Sequence, residues 1–144
     1  MVRTLLSRAV VPVASVSDAE ATAEALRGRL DGTESVIAVH VVEKAGGAPD
    51  KASVEQREAE AEAAFGALAD GLDGLDVREE IRYGTDVAAA IVEAAHEHDA
   101  SAIAFTPRGG SRWVKLLTGD VATTLVEESD VPVVVLPDEA GEET

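Results

Sequence analysis

Val36-Ile-Ala-Val-His-Val-Val42 decides the fold. Six of these seven residues are apolar and four are valine. A strand with one wet face alternates apolar and polar side chains. A nearly continuous β-branched run calls for burial on both faces, as in the interior strands of parallel sheets. Parallel neighbours need a long crossover between them, usually a helix. The flanking segments supply such crossovers.

Upstream, Leu5–Val13 (LLSRAVVPV) becomes β-branched towards its end, where Pro12 suits a strand terminus. Ser17-Asp18 offers an N-cap for a helix to about Leu30, with Ala21, Ala25 and Leu26 inward and Asp31-Gly32 as its stop. Downstream, Lys44–Lys51 carries Gly46, Gly47 and Pro49 and reads as a loop. Ser53-Val-Glu-Gln56 has the spacing of a capping box. Ala61, Phe65, Leu68 and Leu72 then fall at offsets 0, 4, 7 and 11, one stripe of a helix. Leu75–Tyr83 alternates, so this strand has one polar face and belongs nearer a sheet edge. Gly84 turns the chain and Thr85 is the expected cap of a helix with Val87, Ala88, Ile91, Val92 and Ala95 inward. Ala100–Phe105 is a short buried strand, and Thr106–Arg112 (TPRGGSR) is a glycine-bearing loop. A helical stretch follows over about Trp113–Glu128, interrupted near Gly119, and Val131–Leu136 is the last strand.

The order βαβαβαβαβ predicts one α/β domain over residues 1–137, a five-stranded parallel sheet with right-handed crossovers and helices on both faces. Residues 138–144 form an acidic tail expected to fray. Ligands of such sheets bind beyond the carboxyl ends of the strands, at the point where strand order reverses. That selects the loops at Ala14–Ser17, Glu43–Ala45 and Thr106–Gly110.

Composition narrows the function. The 144 residues carry 28 acidic and 12 basic side chains, a formal charge of −16, and no cysteine. A disulfide framework, a thiolate zinc site and an iron–sulfur cluster are excluded. No apolar run approaches the ~20 residues that span a bilayer, and Met1–Ala14 reaches Pro12 without the apolar core of a signal peptide, so a cytoplasmic location is expected. So acidic a surface disfavours nucleic acid, which is bound by clustered cations that release counterions. Nine arginines stand against three lysines, and alanine (26) and valine (20) dominate the apolar residues. This pattern suits a halophile, since at molar salt the Debye length is about 3 Å and self-repulsion is screened.

Four segments carry a resemblance: VPVAS at Val11–Ser15, VIAVHVVE at Val36–Glu43, TPRGGSRWVKLLTGDV at Thr106–Val121 and VPVVVLP at Val131–Pro137. Together they resemble the universal stress protein (UspA-like) family over almost the whole chain. The resemblance implies the adenine nucleotide alpha hydrolase-like, Rossmann-type sandwich. Nucleotide-binding members show G-x2-G-x9-G-[ST] across the fourth loop and the next helix. The matching positions here are Thr106, Gly109, Gly119 and Asp120, so two of four agree and the nine-residue spacing is kept. Glycines let backbone N–H groups approach a polyphosphate, and a hydroxyl at a helix start adds a donor where the dipole favours an anion.

Three departures weaken that site. Asp120 puts a carboxylate where a hydroxyl would donate. At ~5 Å and an effective dielectric of ~20, each unit pair of like charge costs roughly 3 kcal/mol, less at high salt. As an alternative role, aspartate favours a helix N-terminus by itself. Ala14 stands where the family commonly has an aspartate that meets the adenosine end. Thr106 adds bulk in place of the first glycine. Val41 would line the adenine side, although a valine there is equally expected of any buried strand, and Val13 and Val121 are further candidate positions of the site. The resemblance thus implies weak or lost nucleotide binding and no cofactor, with ATP or AMP (and Mg) as the alternative.

The remaining signals are structural. His40 reads as a packed, hydrogen-bonded core histidine. His96 and His98 are two apart in a helix, point in different directions and form no i, i+4 metal pair. Ser111 lies outside a nucleophile elbow, so no catalytic residue is assigned and the protein is not expected to be an enzyme, with slow ATP hydrolysis left open under the nucleotide-sensor alternative. Arg108 and Arg112 are expected to pair with the chain's own acids, and Trp113 to pack. The last strand is apolar and suits an exposed edge, which invites pairing. In the family it commonly forms an antiparallel two-fold contact, so Val131, Val133, Val134 and Val135 are the expected interface of a homodimer. The resemblance implies a stress-response or regulatory module acting through a protein partner; a nucleotide sensor and an accessory docked on a membrane transporter are the alternatives.

Overall fold

The computed structural model describes residues 5–13, 16–29, 32–43, 51–106 and 120–136. Five strands form one parallel sheet: β1 (Arg8–Pro12), β2 (Ser35–Glu43), β3 (Asp76–Gly84), β4 (Ala102–Phe105) and β5 (Val133–Val135), in the order β3-β2-β1-β4-β5. The helices are α1 (Val16–Arg27), α2 (Lys51–Gly71), α3 (Val87–Glu97) and α4, described from Asp120 to Glu128. The fold class read from Val36–Val42 is the one observed.

Both faces of β2 are covered, as its apolar run requires. Val36 and Ala38 join the core under α1 and α2, with Ala23, Leu26, Phe65 and Leu68. Ile37 and Val39 join the opposite core under α3 and α4, with Ile91, Phe105 and Leu125. Each large side chain buried this way contributes roughly 1.5–3 kcal/mol. The α2 stripe Ala61, Phe65, Leu68 and Leu72 is buried as predicted. β3 is an edge strand, as its alternation suggests, with Val77 and Ile81 against the α2 core. Its other face carries Arg82, which bonds Glu80 and Glu97, and Glu80 also meets His98.

Several local expectations are corrected. Asp86, not Thr85, caps α3: its side chain accepts from the Ala89 N–H at 3.1 Å. Ser17 is already inside α1, and the Ser53–Gln56 box lies within α2, which is helical from Lys51. The buried face of α1 is Ala19, Thr22, Ala23, Ala25 and Leu26, while Ala21 is half-buried. Leu5–Ser7 is a turn rather than strand. Its end of the sheet is closed by Ser101, which receives the Arg8 N–H on Oγ and donates to the Leu5 carbonyl. The acidic tail and residues 113–119 lie outside the described residues.

Candidate functional site at the sheet switch point

Strand order reverses between β1 and β4: from β1 the sheet grows one way through β2 and β3, and from β4 the other way to β5. The carboxyl ends of β1 and β4 therefore flank the crevice where this architecture binds ligands.

Val13 follows β1 and is buried. Its N–H donates to the Val39 carbonyl at 2.9 Å, and its own carbonyl lies 2.9 Å from His40 Nδ1. His40 is thus the buried, hydrogen-bonded histidine that its sequence position suggested. Burial is the main cause that lowers its pKa below the usual histidine value; the Val13 bond and Glu60 act to raise it, and Arg57 to lower it. A neutral ring donating to a carbonyl carries its proton on Nδ1.

Thr106 follows β4 and is fully buried, and its hydroxyl meets that of Thr22 on α1 at 2.8 Å. A side chain expected only to add bulk therefore engages α1. Thr22 escaped the sequence reading, although it is a hydroxyl on the apolar stripe of α1, one turn before Leu26. Val13 and Val41 are in neighbouring strands but on opposite faces. Val13 belongs to the α1–α2 core, whereas Val41 packs against the α3–α4 core. Asp120 and Val121 are the first two described residues of α4. Ala14, Gly109 and Gly119 lie outside the described residues, as do Arg108, Ser111, Arg112 and Trp113.

The family model described as "Universal stress protein family" matches residues 6–137. The chain belongs to the universal stress protein family. A universal stress protein of Archaeoglobus fulgidus is 26% identical, with a TM-score of 0.67 over 90% of this chain and 97% of that one. The same organism's protein in complex with dAMP is 26% identical, with a TM-score of 0.63 over 92% and 99%. An Arabidopsis thaliana family member with AMP bound is 18% identical, with a TM-score of 0.60 over 96% and 95%, a likeness of fold alone. A search of the curated proteins gives no match.

Within this universal stress protein, the two histidines diverge as predicted, although His98 is the C-cap that follows α3 and not a residue within the helix. His96 Nε2 lies 2.6 Å from Asp130, and His98 turns to Glu80 on β3. Hydrogen bonding from His96 is the main cause that holds Asp130 below the usual aspartate range. Among the described residues, no group of three or more His, Cys, Asp or Glu side chains is placed to hold a metal ion. Among them, too, no helix is long and apolar enough to cross a membrane.

The predicted interface residues lie at and just before β5. β5 ends the sheet, and Val135 on it is an exposed large apolar side chain. The Pro132 carbonyl accepts from Ile103 and the Leu136 N–H donates to Phe105, so residues 132, 134 and 136 turn their backbone groups to β4. By strand alternation, Val131, Val133 and Val135 turn theirs outward. The donor missing from Pro132 is therefore on the inner side.

Proposed function

We propose that this universal stress protein is a non-catalytic, cytoplasmic stress-response module. It works as a homodimer joined through the outer edge of β5, with a weakened nucleotide site, and presents its surface to a protein partner. The observation that carries this reading is the contrast between the two sheet edges. β3 carries Asp76, Arg78, Glu80 and Arg82 on one face, and charged side chains protect an edge from pairing. β5 is three valines with outward backbone groups at Val133 and Val135. A second copy, antiparallel across a two-fold axis, satisfies those groups reciprocally. The acidic composition supports a high-salt cytoplasm. Light scattering at high salt tests the assembly: twice the 14.9 kDa chain mass supports it and a monomer refutes it.

The weakened nucleotide site rests on Thr106, whose hydroxyl is taken up by Thr22, and on the Asp120 carboxylate at the position of a donor. The second reading is an adenine-nucleotide sensor using ATP or AMP, with Mg. It is favoured by relatives solved with dAMP, cAMP and AMP. Nucleotide released by heating the purified protein, together with saturable thermal stabilisation by Mg-ATP, decides for the sensor. Absence of both decides for the weakened site. Docking on a membrane transporter is one form the partner contact can take.

A further inference from the structure

Ser129 stands between α4 and β5, and neither reading above uses it. Its hydroxyl accepts from the Val131 N–H at 3.0 Å and donates to the Val131 carbonyl at 2.8 Å. Val131 is the first of the residues whose backbone groups turn away from β4; Val133 and Val135 follow. One side chain thus occupies both outward groups of Val131, while those of Val133 and Val135 lie on the open edge of the sheet. Val133 and Val135 share a face of the sheet. There Val133 packs against the α3–α4 core and Val135 is exposed.

Resting on the β5 homodimer read above, we propose that Ser129 is a specificity-determining residue of that interface: by capping Val131 it confines pairing to Val133 and Val135, and so holds a second copy of this chain in the register that sets Val134 opposite Val134. In an antiparallel ladder, alternate opposed residues exchange both backbone bonds. With Val134 on the two-fold axis, Val133 of each copy exchanges with Val135 of the other, and every uncapped outward group is met. The same pairing lays Val133 against the exposed Val135 side chain. With Val133 on the axis, Val135 falls opposite Val131, whose N–H and carbonyl Ser129 already holds. With Val135 on the axis, Val133 falls opposite residue 137, a proline with no N–H to give. Both of these registers leave backbone groups desolvated and unpaired, which is the costly case for a hydrogen bond.

The chain has no cysteine, so single thiols report the register. Val133→Cys, Val134→Cys and Val135→Cys, each in the full chain at high salt, are oxidised mildly and resolved without reductant. Light scattering of the reduced proteins gives their assembly, and circular dichroism their fold. Directly opposed Cα atoms of the Val134 kind lie ~4.5 Å apart, diagonal ones ~7–8 Å, and a disulfide spans at most about 7 Å. Val134→Cys should therefore cross-link several-fold faster than the other two. Ser129→Ala frees Val131, so in that background Val133→Cys should gain several-fold and Val134→Cys should slow. Ser129→Thr keeps the hydroxyl and should retain the first pattern. A dimer in which Val133→Cys or Val135→Cys cross-links fastest overturns the Ser129 register and leaves the β5 dimer standing. So does a pattern that Ser129→Ala leaves unchanged; where that variant does not fold, the three single-thiol proteins decide. A monomer in light scattering overturns both, as does a dimer that none of the three thiols cross-links.

Discussion

Thr22 and Thr106 meet hydroxyl to hydroxyl at 2.8 Å, fully buried and 84 residues apart in the chain. The bond ties α1, the crossover leaving β1, to the end of β4 and so braces the switch point. Thr22→Val keeps the shape and removes the bond, and should destabilise the protein by about 1 kcal/mol. Thr22→Ser should retain most of the stability. Urea midpoints at unchanged slope measure both.

Gly71 and Ala23 set the approach of α2 to α1. A Cβ at Gly71 would stand 2.6 Å from Ala23 Cβ, whereas one at Gly66 meets nothing within 4 Å. Gly71→Ala therefore overpacks the helix contact and should cost about 1–3 kcal/mol. Gly66→Ala should instead stabilise by roughly 0.5–1 kcal/mol, the usual gain inside an exposed helix. Thermal midpoints of opposite sign check the pair; equal signs would show that helix propensity outweighs the contact.

Stability should fall on acidification in two stages. His40 has a lowered pKa in the folded state. Below the ordinary histidine value of about 6.5, the unfolded chain binds a proton that the fold resists, so stability drops until the folded-state pKa is passed. Glu97 and Asp130 are lowered by hydrogen bonds from Arg82 and His96. Their contribution is present above the ordinary carboxylate range and is lost as pH falls through the lower folded values. Denaturation midpoints from pH 8 to pH 3 should show both stages, the first absent from His40→Asn.

Val135 separates assembly from folding. It is 53% exposed, while Val134 packs against the α1–α2 core. A charge at Val134 would disturb the fold itself. Val135→Lys should give a folded monomer in light scattering with an unchanged far-ultraviolet circular dichroism spectrum. A dimer persisting in that variant would falsify the β5 interface.

Thr106→Gly together with Asp120→Ser restores the residue types of the nucleotide-binding pattern. The double variant should gain saturable stabilisation by Mg-ATP that the wild type lacks. Equal thermal shifts in the two proteins would remove these residues as the cause of weak binding.

The sequence by itself determined the layered parallel fold and the polarity of β3. Both are written in local periodicity: a run of apolar residues at Val36–Val42 and an alternation at Leu75–Tyr83. It also marked His40 as a core residue, because a lone histidine in such a run has to be buried. Capping was less legible, since Thr85 and Asp86 are both good caps and only the backbone geometry chooses Asp86. What tertiary structure alone decided are the contacts made across long sequence separations. Thr22 reaches Thr106, His40 reaches Val13, Ala23 faces Gly71, and Val13 and Val41 fall on opposite faces. The physical reason is that periodicity reports which face of an element is buried, but not which partner covers it. Partner choice depends on strand order and register, which bring residues as far as 96 positions apart to within a hydrogen bond.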